Sequence, residues 1–383
     1  MKKILITGAF GFVGTNLSAY LADKGYELWA LDVEDSAPFG RLRTDNVCEC
    51  ESAKVEGAFA KEQSNKSCYA RFYNWAQLDE ILWNEVYAVV HLAGKAHDTK
   101  NTSDAQSYFD INTGLTKRVF EMFSLRGAEV QRGERKFILF SSVKAVADSV
   151  NGVLTEEAKP DPQTAYGQSK LEAERLLRPY SGRNGEGEDS RTHALAHPAV
   201  AGPARLANAG ISTFILRPSM IHGPGNKGNL NLLYSIVRKR IPWPLGAYEN
   251  QRSFASIENV CAVVKGLLCE DVESGVYQVA DDDTISTNRL IELIAESQGR
   301  SAKIRRIPKS FILVLAKIGD ILHLPLNSER LKKLTESYVV SNARVKKVLG
   351  WDKMPVSAED GMRQTLKSFS RKGAKTQREG KNT

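Results

Sequence analysis

Apolar runs of strand length recur along the chain as KKILIT, YELWALD, AVVHLAG, KFILFSS and STFILRP. Between them lie segments of helical period, among them Thr15 to Lys24 and Ser169 to Arg178. Strands that alternate with helices predict βαβ units, and hence an α/β fold with a doubly wound parallel sheet of the Rossmann kind. Two stretches break this rhythm. Residues 46–67 are polar and poor in large apolar side chains, and residues 179–204 are rich in Gly, Pro, Ser and Ala. Both read as surface insertions. From Gly223 the pattern becomes less regular, with loops around Pro224 to Asn229 and Pro242 to Arg252 and helices near Arg289 to Ser297 and Lys309 to Ile321. The expected organisation is a doubly wound domain over 1–222 with parts of 250–285, a smaller C-terminal substrate-binding lobe over 223–370, and a tail over 371–383. No internal repeat is present.

Composition narrows the class. At 383 residues, 42% hydrophobic and 26% charged, the chain can bury a full α/β core. MKKILITGAF enters a strand without the apolar region and cleavage site of a signal peptide, so a cytoplasmic location is expected. The most apolar later segment, Phe311 to Leu326, is interrupted by Lys317, Asp320 and His323 and is short of the roughly 20 apolar residues that span a bilayer. A buried or surface-packed helix is expected there, without stable membrane insertion. The net charge of +8 draws heavily on the tail 371–383, which holds five Lys/Arg against one Glu and no large apolar residue. That tail reads as disordered, and the body lacks the basic, aromatic-interleaved stripe of a nucleic-acid binder. Cys48, Cys50, Cys68, Cys261 and Cys269 are odd in number and unevenly spaced, which fits a reducing compartment. The first three have no nearby histidine to complete a zinc site, so no metal is expected.

The candidate chemistry begins at the N-terminus. Gly8, Gly11 and Gly14, with Phe10, Phe12 and Val13 between them, follow the first strand and open a helix. Glycines there permit a tight turn and close backbone approach to a pyrophosphate, whose charge the helix N-terminus stabilises. Asp32 ends the second strand, 18 residues after Gly14, where a carboxylate can accept from the adenosine ribose hydroxyls and would repel a 2′-phosphate. NAD is therefore expected over NADP, although Arg41 and Arg43 follow within reach of such a phosphate.

Tyr166 and Lys170 form a Y-x-x-x-K unit on a predicted helix. Four residues apart, they share a helical face, so the lysine cation can lower the phenol pKa and let the tyrosine exchange a proton with a hydroxyl or keto oxygen. Upstream, KFILF ends in Ser141 and Ser142, at the edge of a parallel strand where such sheets bind ligands.

Taken together, Gly8/Gly11/Gly14, the HLAG at His91 to Gly94, Asn112, the serine pair and YGQSK resemble the extended short-chain dehydrogenase/reductases. Within that family the chain most resembles the NAD-dependent nucleotide-sugar epimerases and ketoreductases of bacterial polysaccharide synthesis. The resemblance implies that Tyr166 is the catalytic acid/base, that Lys170 binds the nicotinamide ribose and tunes Tyr166, and that Ser142, or else Ser141, bonds the reacting oxygen. It also implies cofactor contacts at Leu92, Ala93, Gly94 and Asn112. LRPSMIHGPGNKGNLNLL is similar to the family's nucleotide-contacting loop, which puts Asn229 and Leu230 at the substrate. QRSFASIENV is similar to the segment whose arginine grips the diphosphate, here Arg252.

The departures bear on reaction type. Val143 and Lys144 follow Ser142 where retaining dehydratases carry an Asp-Glu pair and inverting ones Asp-Lys, so both dehydratase classes are disfavoured. Ala145 to Asp148 replaces the family's usual ending there, and the adenine-contact Asp after the third strand is missing, with Asn74 nearest. The expectation is an NAD-dependent nucleotide-sugar 4-epimerase or 4-ketoreductase, with a UDP-sugar the first candidate substrate. Two helices of such sheets often pair across a dimer, which leaves a homodimer open. The alternatives are a dinucleotide-sensing or scaffold protein on the same fold, which should have lost the proton-transfer residues, and a reductase of a non-nucleotide ketone.

Overall fold

The computed structural model of the chain describes residues 1–33, 68–96, 104–126, 135–178, 210–226, 230–322 and 327–379, without the side chains of 231, 232 and 370–379. Both expected insertions, together with Arg41, Arg43, Cys48, Cys50 and Asn229, lie outside the described residues. The chain divides into two compact units. The first comprises Met1–Ser141, Thr164–Leu216 and Leu267–Val276, and the second Ser142–Gln163, Arg217–Gly266 and Tyr277–Thr383. The second unit thus takes up Ser142–Gln163 and the residues from Arg217, which the sequence-based boundary at 222 had assigned to the first.

A seven-stranded sheet runs in the order β10-β7-β5-β4-β1-β2-β3. Its strands are β1 (Lys2–Thr7), β2 (Tyr26–Asp32), β3 (Arg71–Asn74), β4 (Val86–His91), β5 (Arg135–Phe140), β7 (Ile211–Pro218) and β10 (Gly275–Val279). Pairings from β7 through β3 are parallel. Every residue of β5 is buried, as are Ile4 to Thr7 of β1, because helices cover both faces of a parallel sheet. Helix α1 (Phe12–Leu21) turns Gly14, Leu17, Ser18 and Leu21 inward, the i, i+3, i+4, i+7 spacing of one helical face.

A second helical stretch runs through Ala105–Tyr108, a π-helical segment Phe109–Gly114 and α2 (Leu115–Arg126). Helix α3 (Ala165–Leu177) starts earlier than the expected Ser169, because Thr164 caps it by accepting from the Gly167 N–H at 3.2 Å. Tyr166 therefore belongs to the first turn of the helix that carries Lys170. The core of this unit gathers Leu5, Trp29, Leu31, Val89, Phe120, Phe123, Phe137 and Leu177. In it the Phe137 ring meets Phe120 edge-on at 5.1 Å.

The second unit contains two small sheets, β11-β9-β8 and β12-β6. They are built from β6 (Val153–Leu154), β8 (Met220–His222), β9 (Arg252–Ser256), β11 (Thr284–Ile285) and β12 (Val339–Val340). Its helices are α4 (Leu230–Arg238), α5 (Ile257–Cys269, whose last turn belongs to the first unit), α6 (Thr287–Ser297), α7 (Lys309–Ile321), α8 (Ser328–Thr335), α9 (Ala343–Val348) and α10 (Ala358–Glu379). Leu233, Trp243, Phe254, Ile291, Ile294, Ile312, Leu331 and Met362 form the core. The backbone of α10 continues to Glu379, into residues whose composition reads as disordered. The tail lacks proline and holds five Lys/Arg, which favour propagation of a helix already started.

Phe137→Ala removes a fully buried ring from the centre of the first core. We expect a loss of about 3–5 kcal/mol, read as a lowered urea midpoint. A loss below about 1 kcal/mol would show that Phe137 is not central to that core.

Candidate active site

The strand order reverses between β1 and β4, since β2 and β3 extend one way from β1, and β5, β7 and β10 extend the other way from β4. A parallel sheet binds its ligand at such a switch point, beyond the carboxyl ends of the strands. The two segments that follow these strands are Gly8–Gly14 and Leu92–Gly94. Gly8 takes φ +66°, and a Cβ there would lie 2.8 Å from the Ala93 nitrogen. A Cβ on Gly14 would lie 2.5 Å from the carbonyl oxygens of both Gly8 and Ala9. Gly11 is the N-cap of α1, with no side-chain cap and no acidic residue in the first turn. The first N–H groups of α1, those of half-buried Phe12 and Val13 included, therefore face no competing carboxylate and suit a bound phosphate.

Asp32 closes the turn from the neighbouring strand. Its Oδ2 accepts from the Phe10 N–H and its Oδ1 from the Val33 N–H, both at 2.8 Å. The Phe10 ring packs against Tyr69 and Phe72. These residues form a cradle that fits the diphosphate and adenosine ribose of a dinucleotide. Asn74 is engaged elsewhere: its Oδ1 accepts from the Ala76 and Gln77 N–H groups and caps a short helix.

Asn112 is buried in the π segment, a local bulge often met at functional sites. Its Oδ1 accepts from the Lys95 N–H at 2.8 Å and its Nδ2 donates to Ser169 Oγ at 3.0 Å, which fastens the chain after β4 to α3. Lys170 is also buried, and its Nζ donates to the Phe140 carbonyl at 2.9 Å. A Cβ on Gly94 would come within 2.8 Å of Asn112 Oδ1 and 3.0 Å of Lys170 Nζ, so Gly94 is the residue that leaves space beside both. Burial lowers the Lys170 ammonium to about 8, against a partial opposing effect from Glu174. Burial, with the Lys170 charge adding to it, holds His91 near 3. That imidazole is neutral at ordinary pH, bonded through Nδ1 to Thr7 Oγ1. Tyr166 is half-buried, and Tyr108 meets its ring edge-on at 6.2 Å.

The two adjacent serines part company. Ser141 Oγ donates to the buried Glu174 carboxylate at 2.5 Å. Ser142 is extended, and its Oγ accepts from the Lys144 N–H at 3.2 Å, which leaves its own proton to donate. Ser142 is the first residue of the second unit. In that unit Lys144 Nζ donates to the Asp148 carbonyl and sits 4.5 Å over the Tyr338 ring. Burial chiefly, and the charges of Arg252 and Lys333 less, lower the Lys144 pKa. Burial likewise lowers that of Arg252, against an opposing effect from Glu336. Lys144 and Arg252 are both half-buried, and Glu336 opposes the downward shift of each. The Leu230 side chain is packed in the second core, which leaves its backbone for any ligand contact.

Sequence reasoning singled out Gly8, Gly94, Asn112 and Lys170, and the structure gathers Asn112 and Lys170 at Gly94. It missed Lys95, Tyr108, Glu174 and the charged neighbours of Lys144. Glu174 carried a signal, four residues after Lys170 on the same helix, whereas Tyr108 carried none.

Residues 4–280 match the sequence profile described as the NAD dependent epimerase/dehydratase family. The chain belongs to that family. Within it, a UDP-glucose 4-epimerase of Vibrio cholerae is 26% identical over 376 residues, 96% of this chain and 95% of the relative. An N-acetyl-alpha-D-glucosaminyl-diphospho-ditrans,octacis-undecaprenol 4-epimerase of Escherichia coli O157:H7 is 28% identical over 351 residues, 90% of this chain and 85% of the relative. The structure of MoeE5 in complex with UDP-glucuronic acid and NAD superposes with a TM-score of 0.62 at 18% identity, covering 97% of this chain and 99% of that one. The cradle at Gly8–Gly14 suits the diphosphate of the nicotinamide dinucleotide that gives the epimerase/dehydratase family its name.

The buried Lys170 makes a prediction with a fixed sign. Unfolded lysine titrates near 10.5 and Lys170 near 8, so between these values the unfolded chain binds more protons and stability rises with pH. Relative to Lys170→Met, the apo wild type should gain about 3 kcal/mol of unfolding free energy from pH 8 to 10.5. A flat difference across that window would mean that the ammonium is not buried.

Proposed function

We propose that this chain is an NAD-dependent nucleotide-sugar 4-epimerase in which Tyr166 carries the proton step. The observation that carries this reading is the buried Lys170 ammonium, one helical turn after Tyr166 and held by Phe140 beside Gly94 and Asn112. Bound NAD supplies a hydride acceptor and donor for the sugar C4. Tyr166 takes the proton of the 4-hydroxyl as the alcohol becomes a ketone and returns it to the 4-oxygen on the way back. The Lys170 charge stabilises the phenolate form of Tyr166, which accepts that proton. Ser142 donates a hydrogen bond to the same oxygen, since Ser141 is engaged by Glu174. Asn112 is a positioning residue that fixes α3 against the chain after β4. Asp32 accepts from the ribose diol and selects NAD over NADP, because its carboxylate repels a third phosphate. Arg252, with Lys144 near it, neutralises the substrate diphosphate; Asn229 and the Leu230 backbone serve the nucleotide. The two curated relatives above, both named as 4-epimerases, support reaction at C4.

Tyr166→Phe keeps the ring and its packing, so NAD binding and thermal stability should persist while turnover falls by roughly 10² to 10⁴. Near wild-type turnover would remove Tyr166 from the chemistry. Arg252→Ala is expected to raise KM for the nucleotide sugar more than it lowers kcat, because a diphosphate contact is shared by ground and transition states. An unchanged KM would favour a non-nucleotide ketone. To separate epimerase from reductase, a panel of UDP-, GDP- and dTDP-sugars deuterated at C4 is incubated without added NADH. An epimerase returns deuterium to its product, whereas a 4-ketoreductase leaves these sugars unchanged and forms product only from a 4-keto sugar with added NADH. Product that depends on NADH would overturn the epimerase reading.

A further inference from the structure

Helix α7 carries more apolar surface than the core beneath it uses. Ile312, Ala316 and Gly319 point inward, and Ile312 and Ala316 join Leu331 in the second core. Phe311, Leu313, Val314, Leu315, Ile318, Ile321 and Leu322 are between 38% and 76% exposed. Leu313 apart, their spacing, i, i+3, i+4, i+7, i+10 and i+11, puts the other six on one stripe beside the buried face. Single exposed apolar side chains need no explanation, but a contiguous stripe of six marks an interaction surface.

The segments before and after α7 in the chain are basic. Residues 301–336 hold eight Lys/Arg against three Asp/Glu. Lys303, Arg305, Arg306, Lys309, Lys317, Arg330, Lys332 and Lys333 are all exposed. Of the three acids, Asp320 accepts from the Ser328 N–H and hydroxyl at the start of α8, and Glu329 pairs with Lys333.

We propose that α7 docks this protein on the surface of an anionic lipid bilayer, with the stripe in the acyl boundary and the basic rim among the headgroups. Thirteen helical residues extend about 20 Å, short of the roughly 30 Å hydrocarbon core, so the helix lies in the interface and does not cross it. Among the described residues no helix is long and apolar enough to cross a membrane. The charge argues against a second copy as the occupant. In a two-fold pair the same face meets itself and would bring the two basic rims together, whereas anionic headgroups neutralise them.

The full-length protein is sedimented with vesicles of phosphatidylcholine alone and of phosphatidylcholine with phosphatidylglycerol, at low and high salt. Wild type should bind the phosphatidylglycerol vesicles and release them as salt rises. The Phe311→Ser/Ile318→Asp double variant should lose at least ten-fold in partitioning while its thermal midpoint and NAD binding hold, since both side chains are exposed. Lys332→Ala and Lys317→Ala should each lose about five-fold on anionic vesicles, as expected for one surface charge. Wild type left in the supernatant with both vesicle types overturns the proposal. So does a wild-type dimer that binds no vesicle and that the double variant splits, which would assign the stripe to pairing of two copies.

Discussion

A buried ammonium is the constraint around which the first unit is arranged. Taking a lysine out of water disfavours its charge, and the chain answers with the Phe140 carbonyl at the end of β5 and the Glu174 carboxylate one turn further along α3. Both answers depend on neighbours. Glu174 is itself fully buried and held by Ser141, while α3 keeps its place through the Asn112–Ser169 bond and the Thr164 cap. Loss of any of these would move the ammonium. The neutral His91 at the end of β4 spares the site a second buried cation.

The dinucleotide cradle follows from a different constraint, the lack of space. β1 and β4 meet at the strand-order reversal, and the segments after them approach so closely that Gly8, Gly14 and Gly94 cannot carry a Cβ without displacing backbone, an amide oxygen or the Lys170 amine. Because the turn is tight, the Asp32 carboxylate reaches back from β2 to the Phe10 N–H. Turn, helix start and acidic residue thus form one hydrogen-bonded piece. The family match over residues 4–280 covers all of it.

What the sequence disclosed was local. The alternation of strands and helices, the glycines after β1, Asp32 at the end of β2 and the Tyr166/Lys170 spacing each occupy one short window, where period and spacing have direct geometric meaning. What it withheld was set by distant partners. Two adjacent serines looked alike until Glu174, 33 residues on, proved to hold Ser141. Asn74 looked available for adenine until its capping bonds were seen. The apolar period of α7 predicted a helix but not that most of its apolar residues face outward, since period gives the faces and only packing decides which are covered. Distance along the chain hides packing in the same way: Ser142–Gln163 sits in the N-terminal half of the chain yet packs with later segments.

The central claim is that Lys170 acts electrostatically on Tyr166, and the phenol's own titration tests it most directly. The absorbance of ionised tyrosine near 295 nm is followed against pH in the NAD-bound protein, with Tyr166→Phe as the blank that isolates Tyr166, in wild-type and Lys170→Met backgrounds. The account predicts a Tyr166 pKa well below the ordinary phenol value of about 10 in wild type, rising by about two units or more when the lysine charge is removed. An unshifted Tyr166, or one that titrates alike in both backgrounds, would contradict it.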